Sequence, residues 1–165
     1  MSGGTLVAGV GNIFHGDDAF GVEVANRLAA CPPPGDVHVA DFGIRGLHLA
    51  YELLNGYDTL ILVDATQRGG APGTLYVLDI DPDAAPEPDA TGPGALMDGH
   101  DLTPETVFAL LRSLGGRVDT VRVVGCEPDR VDDHIGLSAP VATAVDEAVR
   151  VVWDLATANQ PEGQT

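Results

Sequence analysis

The sequence predicts an α/β fold: a three-layer α/β/α sandwich around a mixed five-stranded sheet, with one strand antiparallel. Three observations predict it. Five short apolar runs alternate with stretches of helical spacing, in the order β-α-β-α-β-β-α-β-α. Such alternation is expected of a sheet covered by helices on both faces. The junction between the third and fourth runs holds only the segment QRGGAPG, residues 67–73. A parallel crossover needs about a dozen or more residues, so the fourth strand must run against the third.

The strands are read at Thr5–Gly9, Val37–Asp41, Thr59–Val63, Thr74–Leu78 and Thr120–Val124, each β-branched or apolar in character. The first helix is expected to start near Asp18, with Val24 and Leu28 on one face. It must stop by Pro32-Pro33-Pro34, which cannot continue a helix. The second covers Leu47–Asn55 and ends at Gly56, a plausible C′ glycine. For the third, Thr103 suits the N-cap and Pro104 the first helical position. Val107, Leu110, Leu111 and Leu114 then recur at helical spacing before Gly115-Gly116. The fourth starts at Ser138 and carries the stripe Val141, Ala144, Val145, Ala148, Val149 and Val152. Residues 81–101 are rich in Pro, Asp and Ala without a clean period, and read as a long surface loop.

A chain of 165 residues suits one domain, taken here as residues 1–158, with 159–165 a polar tail. Eight basic residues stand against 25 acidic ones, a net charge of −17. A body this acidic repels phosphates and anionic lipid, which argues against nucleic acid and membrane as partners. All eight basic residues are arginines. Without a lysine there is no Schiff base, no P-loop and no receiver-type phosphorylation switch. Cys31 and Cys126 match no zinc spacing, no basic leader opens the chain, and no run is long enough to span a membrane. A reduced, cytoplasmic protein is the expectation.

The chemistry is expected at the carboxyl ends of the parallel strands. Residues 9–25, GVGNIFHGDDAFGVEVA, follow the first strand. A dinucleotide fingerprint would need glycine at position 14, where Phe14 stands, and acids at a helix start would repel a pyrophosphate. One of Asp17 and Asp18 is explained as a helix N-cap. The other needs a reason, because adjacent carboxylates repel unless they point apart or share a cation. Asp64 ends the third strand and belongs to the same edge, although a strand-ending turn residue would read alike. His100 closes the long loop. Two carboxylates and an imidazole would suit a divalent transition metal with open positions, although none of the three is local to another. There is no G-x-S-x-G and no H-E-x-x-H, which disfavours serine and ordinary zinc proteases.

The string GVGN-x₄-DD-x₂-GV, the strand ending in VDA at 63–65, and a lone histidine after a loop resemble the [NiFe]-hydrogenase maturation endopeptidases. Asp41-Phe42-Gly43, APGTL at 71–75, GCEPD at 125–129 and HIGLSAPV at 134–141 extend the likeness from about Thr5 to Val152. The resemblance implies the same sandwich fold. It also implies removal of a C-terminal extension from the hydrogenase large-subunit precursor once nickel is inserted. The catalytic and metal-contacting residues would fall on Asp18, Asp64 and His100, and substrate contacts on Asn12, Asp41 and Gly43. Nickel would arrive with the substrate rather than reside in the enzyme, which would act as a monomer. Phe42 stands where relatives often carry a glycine, which bears on the choice of hydrogenase. Either the metal polarises the carbonyl and activates water, or an aspartate serves as general base. A non-catalytic nickel-sensing checkpoint protein on the same fold is the competing reading.

Overall fold

In a computed structural model, which describes residues 4–30, 35–43, 46–81 and 104–158, all five apolar runs form strands of one sheet. They are β1 (Gly4–Val10), β2 (Val37–Gly43), β3 (Tyr57–Ala65), β4 (Leu75–Ile80) and β5 (Thr120–Cys126). Their order across the sheet is β2-β1-β3-β5-β4. The first four in that order are mutually parallel, and β4 pairs antiparallel with β5. The short 67–73 connection thus reverses the chain, and β4 reaches the sheet edge by passing β5.

Among the described residues, four α-helices cover the sheet: α1 (Phe20–Ala29), α2 (Gly46–Leu53), α3 (Pro104–Ser113) and α4 (Ala139–Ala158). The two-residue period of the strands sorts their side chains between two cores. Leu6, Ala8, Leu60, Leu62, Val121 and Val123 pack with Leu49, Leu53, Phe108 and Leu111 on one face. Val7, Ile61, Val63 and Val124 pack with Phe20, Val24, Leu28, Val145 and Val152 on the other. All of these side chains are buried, so β1, β3 and β5 are covered on both sides, whereas the edge strands β2 and β4 are only partly buried.

The helix starts differ from expectation at one point. A 3-10 turn, Gly16–Ala19, precedes α1, and neither it nor α1 has a side-chain cap. The acid expected to cap the helix is used elsewhere. α2 ends close to the expected place, where Gly56 takes φ +101° and donates its N–H to the Leu53 carbonyl. Thr103, the Pro32-Pro33-Pro34 run, Cys31, the 82–101 part of the long loop and the 159–165 tail lie outside the described residues.

Candidate active site

The chain passes from β1 to β2 on one side and returns to β3 on the other, so the strand order reverses beside β1. Open α/β sheets bind ligands in the crevice at such a reversal. Asp18 and Asp64 both belong to this edge. Asp64 sits near the end of β3, opposite Gly125 of β5. Asp18 lies in the turn that follows β1 and lines a cleft of about 350 Å³ with His15, Ala65, Gln67, Pro128 and Val131.

Close packing seats this turn. A Cβ on Gly21 would overlap the carbonyl oxygens of Val63 and Val10, so α1 approaches β1 and β3 as only glycine allows. Gly11 has φ +139°, and a Cβ there would overlap the Asp18 carbonyl. The glycines that suggested a nucleotide loop instead bring the Asp18 turn onto the strand ends. The Asp18 carboxylate accepts the Asn12 amide at 2.8 Å, and the Asn12 side chain in turn accepts the Phe14 amide at 2.9 Å.

Asp64 is partly buried, and its own carboxylate accepts the Ala65 amide. Burial, and then the charge of Asp18, push its carboxyl group up to about 8. The Asp18 carboxylate is therefore close enough to disfavour ionisation of Asp64. Among the described residues, no group of three or more His, Cys, Asp and Glu side chains is placed to hold a metal ion. His100 lies outside the described residues.

Asp17, adjacent to Asp18, points the opposite way and is fully buried. Its Oδ1 accepts the Ser138 amide, and its Oδ2 accepts the amides of Asp129 and Arg130 and the Ser138 hydroxyl, all at 2.7–3.0 Å. Burial alone would raise its carboxyl, but these four bonds hold it below the usual carboxylate range. The acidic pair is thus resolved by direction: one acid clamps the 129–138 loop, the other faces the cleft. Glu127 does a similar task on the opposite wall. Its Oε1 accepts the Arg68 and Gly70 amides and the Tyr76 hydroxyl, which keeps Glu127 ionised below its ordinary range. Sequence reasoning missed both clamps. The doubled acid at 17–18 was a signal for the first, whereas nothing local marks Glu127.

Cys126 is buried, and burial followed by the charges of Asp17 and Glu127 raises its thiol to about 11. It is a packing group rather than a thiolate nucleophile. His15 lines the cleft with its Nε2 3.6 Å from Asp133 Oδ1. Asn12, Asp41 and Gly43 line a second, larger groove of about 650 Å³ beside the cleft. Phe42 points away from it into the core beside Val10 and Leu49, because successive strand residues face opposite ways.

A family model described as hydrogenase maturation protease matches residues 22–155. The chain belongs to this family. It is 33% identical to the hydrogenase expression/formation protein HupD of Rhizobium leguminosarum bv. viciae, covering 96% of this chain and 79% of that protein. It is 32% identical to the hydrogenase 2 maturation protease of Escherichia coli (strain K12), covering 89% and 87%. The crystal structure of the hydrogenase 2 maturation peptidase from Thaumarchaeota archaeon SCGC_AB-539-E09 superimposes with a TM-score of 0.70 at 30% identity, covering 92% of this chain and 97% of that one. The mixed α/β sheet expected from the sequence is the fold of these maturation proteases. Among the described residues, no helix is long and apolar enough to cross a membrane.

Proposed function

We propose that the chain is an endopeptidase that removes the C-terminal extension of a [NiFe]-hydrogenase large-subunit precursor after nickel insertion, and that it reads the substrate's nickel as the signal of completed assembly. The observation that carries this reading is the pairing of Asp18 and Asp64 at the strand-order reversal of a maturation-protease fold. Asp64, raised to about 8 by its burial and by the charge of Asp18, forms with Asp18 a donor set that a divalent cation relieves. His100 completes the set as the third ligand. The precursor's own thiolates fill the remaining positions of the nickel ion.

In this reading Asp18 and Asp64 hold the incoming nickel and so fix the scissile bond in the cleft, which is positioning catalysis. The attacking water is activated either by the metal or by one of the two aspartates. The enzyme works as a cytoplasmic monomer whose partner is the precursor.

Co-expression with a cognate precursor tests this. Mass spectrometry should find the large subunit shortened at its C-terminus only when nickel is supplied. An intact, nickel-loaded precursor would favour the checkpoint protein instead. Asp18→Asn and His100→Ala should each reduce processing on the order of a thousandfold without changing the melting temperature by more than a few degrees. Wild-type processing by His100→Ala would remove that residue from the site.

A further inference from the structure

The 650 Å³ groove beside the Asp18 cleft has an unusual lining. Phe14 is 60% exposed, Ile13 46% and Ile135 75%. All three line this one groove, with Val22 and Leu137 beneath them. Exposed large apolar side chains gathered in one concavity mark a binding surface, whereas scattered ones do not. The acids in the lining are Glu23 and Asp41, and no cation stands among the lining residues.

The groove and the cleft share their walls. The 11–16 loop turns Ile13 and Phe14 to the groove and His15 to the cleft. The 131–137 segment turns Val131 to the cleft and Ile135 to the groove. The two segments are tied where the Gly16 amide donates to the His134 carbonyl and the His134 amide to the Phe14 carbonyl. The groove and the cleft therefore adjoin across these two tied segments, with Phe14 and Ile135 on the groove side.

We infer that this groove binds the precursor's polypeptide next to the scissile bond, as an extended segment with apolar side chains against Phe14 and Ile135 and a basic residue facing Glu23. The inference rests on the reading of the chain as a precursor protease. It adds Phe14, Ile135 and Glu23 as specificity residues to the substrate contacts that the resemblance implies at Asn12, Asp41 and Gly43 of the same groove. Apolar burial supplies most of the affinity, and the acid at the rim rejects an acidic segment.

Steady-state cleavage of the nickel-loaded precursor by the full-length protein tests it, with thermal melts on every variant. Phe14→Ser combined with Ile135→Ser should raise KM about tenfold while kcat stays within about twofold, the pattern of lost uniform binding. Glu23→Arg should raise KM about threefold, with the difference shrinking as salt is added. Tyr51→Ser removes a half-exposed aromatic from α2, outside the groove, and should change nothing. Wild-type protein that fails to cleave would sink the protease reading itself. Cleaving wild type with unchanged KM in the double variant would sink only the groove. So would a melting point that falls in the double variant at constant KM, since the chain's own residues would then fill the groove. A wild-type dimer in sedimentation that the double variant dissociates would assign the face to a second copy instead.

Discussion

Two loops wall the candidate cleft, and each is held by a carboxylate that does not itself bind there. Asp17 holds the 129–138 loop with both of its oxygens, from a fully buried position. Glu127 gathers the Arg68 and Gly70 amides of the 66–74 connection, with the Tyr76 hydroxyl, on the single oxygen Oε1. The difference is in what each clamp tolerates. An oxygen that collects every donor can be retained in an amide side chain. A carboxylate whose two oxygens both accept N–H groups cannot be replaced by an amide, because an NH₂ must then confront a donor.

The largest effect is therefore expected at Asp17. Asp17→Asn leaves at least one backbone amide facing an NH₂ group in a buried site. A loss of about 3 kcal/mol is expected. That corresponds to a fall of roughly 10 °C in the melting temperature for a chain of this size. A melting point within a degree or two of wild type would mean that the loop is held by other contacts.

Next comes the titration of Asp64, near the end of β3. Its carboxyl is raised in the folded state from 3.8 to about 8, so the folded protein binds more protons than the unfolded chain between those values. Stability must then fall as pH rises through this window. Asp64→Asn removes the dependence. The metal-free variant should gain on the wild type by something on the order of 1–2 kcal/mol between about pH 5 and pH 8, measured by urea denaturation. A constant difference across that range would contradict the raised carboxyl. Asp17 works in the other direction. Its lowered carboxyl adds stability above the ordinary aspartate range, and that stability is lost on acidification below it.

The smallest effect is expected at Glu127. Glu127→Gln keeps an oxygen for Arg68, Gly70 and Tyr76, so its melting temperature should stay within about 2 °C of wild type. Glu127→Ala should open the 66–74 connection, seen as faster amide exchange at Arg68 and Gly70. Equal behaviour of the Gln and Ala variants would erase the contrast between the two clamps.

The layout of the sheet was readable in the chain because its causes are local. Strand alternation, the Pro and Gly stops, and a seven-residue connection too short for a crossover are all properties of neighbouring residues. They led to five strands, four helices and one reversed strand. They also placed Asp18 and Asp64 on the same edge, since each follows a parallel strand closely. The acidic pair was harder. Its two members have the same local sequence, and nothing within a few residues separates them.

What the sequence determined by itself was periodicity, the reversed strand and a set of acids near one edge. The resemblance in its motifs pointed to the family. Only the tertiary structure decided that Asp17 clamps and Asp18 faces the cleft, because the partners of Asp17 lie 112 to 121 residues away. It also decided that Phe42 is core rather than recognition surface, and that Phe14 and Ile135, far apart in the chain, share one groove. The physical reason is common to all three. Local sequence sets φ, ψ and the period of burial, whereas the environment of a carboxylate or an exposed ring depends on segments that meet only when the chain is folded.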